Sequence, residues 1–430
     1  MRRAGGGVTP SMTPGPANLA IWAIAALATA GVLIRPFRWP EAIWAAAGAL
    51  LLLVFGLLPL AHVLEAIGKG LDVYLFLIGM MLLSETARRE GLFDWVAAFA
   101  VNQARRSPKR LFLLVYGVGV AITALLSNDA TAVVLTPAVF AAARKAKAEP
   151  LPYLFICAFI ANAASFILPI SNPANLVLYG DHTPPLEHWM ASFALPSAVS
   201  IVVTYVVLRW SQRGALAGRC DCDVEQPVLS AGGWTALAGI GMTAATLLAV
   251  SALDIQLGAP TCVLGVVTTA VVLTIKRAAP WPVLQSVSWS VLPLVAGLFV
   301  LVEALKQTGL VGALANLLTA GASNTPTLAA VSSAVLALAS NLMNNLPAGL
   351  IASTIVAQAR PPQTVTDALL IGVDLGPNLS ITGSLATILW LTAIRREGEA
   401  VGFWRFLKVG ALVAPPALVL AVAARLLISW

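Results

Sequence analysis

Apolar runs of about 20 residues, the length that crosses a bilayer hydrocarbon core, recur from residue 17 to residue 428 with little between them. We read spans at 17–34, 39–64, 71–87, 152–180, 193–210, 232–252, 258–275, 286–305, 366–394 and 409–428. Composition agrees, because 59% of the 430 residues are hydrophobic and only 10% are charged. A water-facing globule needs about a quarter of its residues charged. Soluble domains, coiled coils, collagen and disordered chains are thereby excluded, and an all-α polytopic membrane protein remains.

Two further apolar segments, 111–143 and 326–359, are too long for one span and too short for two plus a turn. Arg105, Arg106, Lys109 and Arg110 precede the first, and Arg144, Lys145 and Lys147 follow it. Basic flanks mark the cytoplasmic face, so both ends belong on one side and the segment is read as a re-entrant hairpin. Counting outward from it puts 20 of the 26 basic residues inside. Arg2, Arg3, Lys69, Lys306, Arg360 and Arg425 fall outside, as do both termini. The net charge of +7 thus sets topology and gives no reason to invoke nucleic acid. Residues 1–16 are Gly- and Pro-rich and read as a disordered tail with no convincing cleavage site.

Tyr74–Leu92 and Leu292–Leu310 align at a shift of 218, which matches Gly79 with Gly297, Glu85 with Glu303 and Gly91 with Gly309. The two copies run in opposite directions through the membrane, the plan of many secondary transporters. The chain therefore divides into a first repeat (17–210), a cytoplasmic linker (211–231) and a second repeat (232–430). Each repeat carries one hairpin and then a span broken by polar residues, Pro169–Asn175 in one and Asp374–Ser384 in the other. A shift of 203 lays Asn175 on Asn378 and Ser171 on Asp374.

Polar side chains at membrane depth are costly, so matching clusters in both halves point to one shared site near the midplane. Ser127, Asn128, Thr131, Ser171, Asn172, Asn175, Asn341, Asn344, Asn345, Asn378, Ser380 and Ser384 are the expected substrate-binding residues. Asp129 and Asp374 are the expected proton-coupling residues, since a carboxylate is costly to keep charged away from water. No Lys or Arg joins them, which suits a neutral polyhydroxyl solute or a cation better than an anionic dicarboxylate, although helix N-termini can substitute for basic partners. Glu85 and Glu303, at span ends beside cations, are read as fixing helix packing. Cys220 and Cys222 form a CxC pair, a weak candidate for a thiophilic metal; otherwise no metal site, cofactor, nucleotide-binding loop or hydrolytic constellation is expected.

Ser127-Asn128-Asp129 with Ala130 to Pro137, Met343 to Pro347, and Asp374-Leu375-Gly376-Pro377-Asn378 with Gly383 to Thr387 resemble the ArsB-type arsenite efflux pumps of the ion transporter superfamily. That resemblance implies proton-driven export of arsenite and antimonite across the inner membrane, by elevator-like movement of hairpins and broken helices against a scaffold. It also implies a homodimer and, in some relatives, a soluble ATPase partner. Ser380-Ile381-Thr382 departs from the more usual Thr-Pro-Ile, and Pro173 is absent from many members. A sodium/proton antiporter of the same superfamily is the alternative reading, and a non-pumping metalloid channel or sensor is a further one.

Overall fold

The computed structural model describes residues 15–180, 183–218, 220–221, 224–253 and 255–428, apart from the side chains of Arg38 and Ala322. Nearly all of the expected tail, and Cys222, lie outside these residues. Among the described residues all regular structure is helical.

The first half consists of α1 (Pro16–Ile34), α2 (Glu41–Val54), α3 (Leu60–Lys69), α4 (Leu71–Arg89), α5 (Leu92–Gln103) and α6 (Pro108–Leu125). A second hairpin limb follows: α7 (Asn128–Ala130), a π-helical stretch (Thr131–Leu135) and α8 (Thr136–Lys145). Then come α9 (Pro150–Ala163), a 3-10 turn (Pro169–Ser171), α10 (Pro173–Tyr179) and α11 (Leu186–Ser211). The second half repeats the order: α12 (Ala231–Ala252), α13 (Gly258–Lys276), α14 (Trp281–Ser286), α15 (Val291–Gln307), α16 (Leu310–Ala320), α17 (Thr325–Met343) and α18 (Asn345–Ala359). It closes with α19 (Gln363–Leu375), a 3-10 turn (Gly376–Leu379), α20 (Leu385–Arg396) and α21 (Phe403–Ile428). The 26-residue helices α11 and α21 start 217 positions apart, as do α2 and α13.

Among the described residues seven helices are long and apolar enough to cross a membrane, or up to nine if the bent pairs α3–α4 (47°) and α15–α16 (74°) each count as one. The chain is a polytopic membrane protein. The expected continuous span 39–64 is divided: α2 stops at Val54, Gly56 turns at φ 65°, and Pro59 precedes the separate helix α3. Residue 286 likewise ends α14, and the span expected from there begins at Val291. Helices α5 and α16 have no counterpart in the apolar pattern. Each starts after a matched glycine in the left-handed region, Gly91 at φ 73° and Gly309 at φ 83°, where a side chain would be strained.

The halves are interlocked by exchange. Helix α4 packs on α13 of the other half, and α15 packs reciprocally on α2. Gly79 and Gly265 make the first crossing, backbone against backbone; a Cβ on Gly79 would run into Thr261. Gly297 lies against Ala45 at the second, with Gly48 against Leu301 nearby. The same exchange seats α10 on α18 and α20 on α8, while α11 and α21 pack on each other. Beneath the broken helices, Trp390, Phe155, Phe159 and Phe406 are fully buried, and Phe159 stacks on Phe406 at 5.2 Å. Trp390 Nε1 donates to Leu154 O at 2.8 Å, so the buried indole is satisfied as well as packed.

Linker 211–231 is tied down at several points: Asp221 N donates to Ala146 O (2.8 Å), Gln226 Nε2 to Trp95 O (2.8 Å) and Ser230 Oγ to Glu90 (2.6 Å).

The crossing is testable. Gly79→Ala forces α4 off α13 and should cost about 1–3 kcal/mol, whereas Gly117, with nothing near its would-be Cβ, should accept alanine with no loss. Thermal unfolding of the two purified variants measures this, and equal melting temperatures would contradict the close approach.

Candidate functional site

Each hairpin turns on a polar residue that also starts the next helix. Ser127 Oγ accepts from Ala130 N (3.4 Å), and Asn344 Oδ1 accepts from Leu346 N (3.3 Å). Asn344 sits at φ 76° and ψ 155°, a backbone region that residues with a side chain rarely adopt. Thr131 joins the limbs of the first hairpin through Thr123, Oγ1 to Oγ1 at 2.8 Å.

The broken helices follow the same logic. Asn172 caps α10, its Oδ1 accepting from Ala174 N (3.0 Å), and Ser384 caps α20, accepting from Thr387 N (3.1 Å). These caps lie 212 positions apart, so structural equivalence puts Asn162 opposite Asp374 and Asn172 opposite Ser384. The shift of 203 aligned similar residues; the caps set a different register.

Most of the expected site residues serve the breaks themselves. Asn175 Nδ2 donates to the carbonyls of Ser165 (2.8 Å), Leu168 (3.2 Å) and Pro169 (3.2 Å). Asn341 Nδ2 donates to Ala337 O (2.8 Å) and Gly376 O (2.9 Å), and its Oδ1 accepts from Ser380 Oγ (2.7 Å). Asn378 Nδ2 donates to Phe159 O (3.0 Å), while its Oδ1 accepts from Asn162 Nδ2 (3.0 Å). Ser171 Oγ donates to Ala124 O at 3.2 Å. The bonds to the carbonyls of Ala124, Ser165, Leu168, Pro169 and Gly376 satisfy groups that an intact helix would have paired.

Four expected residues remain around a small central cavity: Asn128 and Asp129 from the first hairpin tip, Asn345 from the second, and Asn172 from the first break. Leu385 and Ala386, at the start of α20, complete the convergence of all four clusters. Asp374 stands behind it, its Oδ1 accepting from Asn172 Nδ2 at 2.7 Å. Asp374 Oδ2 and Asn128 Oδ1 are buried with no hydrogen-bond partner among the described residues. An unmet buried acceptor costs about 1–3 kcal/mol, so a donor supplied from outside would relieve both. No basic residue lines the cavity.

A cleft of about 690 Å³ shares Asp129 and Pro173 with that cavity and runs along α4 past Phe76, Met80 and Ser84 to Glu85. Arg88 holds both Glu85 oxygens (2.7 and 2.8 Å), and Arg89 adds a third bond (2.6 Å) and reaches Ser286 Oγ (2.6 Å). Beside Glu303, the match of Glu85, a cleft of about 1120 Å³ is lined from both halves by Glu303, Lys306, Lys69 and Tyr179, and none of the cavity residues belongs to it. Lys69 binds Glu303 at 3.1 Å. Both glutamates are thus held by neighbouring cations.

Asn162, in the middle of an apolar run, escaped the sequence reading, as did a buried cluster at the far end of α19. Asp367 accepts from Arg425 Nε (2.7 Å), Tyr179 OH (2.5 Å) and Gln363 Nε2 (2.7 Å), which joins α10, α19 and α21. Arg425, counted on the outer surface by charge bias, is buried here. Cys220 is buried, its N–H donating to Arg106 O (3.3 Å). Among the described residues no three His, Cys, Asp or Glu side chains gather as metal ligands.

Residues 19–377 match the family model described as citrate transporter. An uncharacterised transporter of Mycobacterium tuberculosis is 27% identical over 425 residues, 94% of this chain and 97% of that one. The arsenical pump membrane protein of Escherichia coli K12 is 25% identical over 368 residues, 81% of this chain and 84% of that one. Among solved structures, the YdaH transporter of Alcanivorax borkumensis superposes with a TM-score of 0.59 at 16% identity, covering 96% of this chain and 98% of its own. At that identity the likeness speaks for the fold alone.

Asp367→Ala should destabilise the fold by about 3–5 kcal/mol, because it strands a buried guanidinium. Asp367→Leu combined with Arg425→Met should recover most of that loss. A double-mutant cycle on melting temperature measures both, and an unaffected single variant would deny the cluster its role in pinning α10.

Proposed function

The chain belongs to the citrate transporter family, and on that premise we propose that this multi-pass membrane transporter exports arsenite and antimonite as neutral trihydroxides in exchange for protons. One observation carries the reading: four polar clusters from two halves meet at a small cavity that offers amide groups and a carboxylate and no cation. A neutral As(OH)₃ has three hydroxyls, each donor and acceptor, and the Asn128, Asn172 and Asn345 amides match both roles. The partnerless Asn128 Oδ1, which lines the cavity, is an acceptor for such a hydroxyl. Citrate, with several negative charges, would meet Asp129 without a compensating Lys or Arg. The arsenical pump relatives support the same substrate class.

In this reading Asp129, shared by cavity and cleft, takes up a proton when the site faces outward, and Asp374 tunes the site through Asn172. Protonation weakens the hold on the trihydroxide; loss of the proton on the cytoplasmic side restores it. The hairpins and broken helices form the transport unit and move against a scaffold of α1–α4 and α12–α15. The cleft ends at the Glu85, Arg88 and Arg89 side, which the basic bias assigns to the cytoplasm, so this arrangement is the inward-facing state. The plasma membrane is the matching location.

Everted membrane vesicles with an imposed pH gradient test the proposal. Arsenite should accumulate and a protonophore should abolish it; Na⁺ movement without arsenite movement would replace this reading with sodium/proton antiport. Asp129→Asn should remove the response to the gradient, and an unchanged response takes Asp129 out of the mechanism. Asn345→Ala should raise the half-saturating arsenite concentration about tenfold for one lost hydrogen bond, at an unchanged protein level in the membrane.

A further inference from the structure

Where the first turn of α6 meets the last turns of α11, a recess of about 640 Å³ is lined by Lys109, Tyr205, Val206, Arg209, Trp210, Arg213 and Leu216. It is remote from the substrate cavity and shares no residue with it. Three of its seven lining residues are cationic and none is acidic. Arg88, Arg89, Lys147 and Lys276 each meet a carboxylate within 4 Å, but Lys109, Arg209 and Arg213 enter no ion pair among the described residues.

The two guanidinium groups are held in place by aromatic rings. Arg209 lies over Tyr205 at 5.7 Å from its centre and donates to its hydroxyl at 3.0 Å, and Arg213 lies over Trp210 at 5.0 Å. Ring contacts of this kind orient the planar fork while leaving its other donors free. Such forks match phosphate oxygens, and a lysine adds a point charge.

What lies next to the recess separates a lipid from a free anion. Val202, Val206 and Trp210 recur every four residues along α11 and are 58%, 55% and 54% exposed, so one apolar stripe leads from the cations toward the membrane interior. Tyr and Trp mark the headgroup level of a bilayer. A phosphate seated on the cations would thus have hydrocarbon-facing protein directly beside it.

The second half offers no equivalent. At the shift of 217, Tyr205 and Arg209 correspond to Val422 and Leu426. We infer that this recess is a binding site for the phosphate headgroup of an anionic phospholipid, present on one membrane face only, with an acyl chain laid along Val202, Val206 and Trp210. The bound lipid bridges α6 and α11 and so holds the first limb of the first hairpin to its neighbour, alongside the Tyr116 bond to Ile201 O at 2.6 Å.

Purified full-length protein in detergent is titrated with dioleoylphosphatidylglycerol, dioleoylphosphatidylcholine or glycerol 3-phosphate while its melting temperature is followed. Phosphatidylglycerol should raise the melting temperature saturably and the other two should not. In K109Q/R209Q/R213Q the apparent affinity should fall on the order of 100-fold, about 1 kcal/mol per cation. A control of equal charge loss, R395Q/R396Q/K408Q, should titrate as the wild type. The single variant R213Q, altered at an exposed position, should lose about fivefold and reads the site even if the triple variant folds poorly. An equal loss in both triple variants would show diffuse surface charge and overturn the site. An equal response to glycerol 3-phosphate would make it a free-phosphate site and overturn the lipid, and no response to phosphatidylglycerol would overturn both.

Discussion

A helix interrupted inside a membrane releases N–H and C=O groups that hydrocarbon cannot satisfy, and each one left unpaired costs several kcal/mol. Four such interruptions converge at the centre of this protein, and much of its polar inventory answers that demand. Asn175 gathers three carbonyls, Asn341 binds one carbonyl on its own helix and one on the facing break, and Asn378 reaches across to α9. Serine and asparagine caps then restart each helix. Once these backbone groups are paired, side chains such as Asn128 can keep spare hydrogen-bonding capacity at the cavity.

The interruptions were legible in the sequence because Pro, Gly and Asn in the middle of an apolar run weaken a helix that hydrocarbon would otherwise enforce. The paired Gly79 and Gly297 and the polytopic class could be read for similar reasons. Less legible was the division of labour among the asparagines. Asn128 and Asn175 look alike as letters, yet one lines a cavity and the other is consumed by carbonyls, a difference set by which backbone groups happen to be orphaned nearby. Asn162 and the Asp367–Arg425 pair were invisible for a related reason: their partners lie 216 and 58 residues away. The division of 39–64 was missed because hydropathy barely changes where Gly56 and Pro59 end one helix and begin another.

The exchange of helices between halves explains how one site can be assembled from two copies of a plan. No half encloses the cavity alone, since the first supplies Asn128, Asp129 and Asn172 and the second supplies Asn345 and the start of α20. The symmetry is nonetheless broken where chemistry needs it. Asp374 occupies the place of Asn162, Asn172 that of Ser384, and of the two glutamate clefts the one beside Glu85, unlike the one beside Glu303, shares lining residues with the cavity. The carboxylates are therefore features of a particular half and not of the repeat.

The crossing of Gly79 on Gly265 also bears on how the chain is made. Its two members are separated by 185 intervening residues, which a ribosome adds in about 10–40 s. Throughout that interval α4 lies in the membrane with its glycine face uncovered, and α2 waits longer still for α15. Biogenesis must keep a half-built bundle open to a later arrival, so the insertion machinery, or lipid itself, stands in for α13 and α15 until they are made.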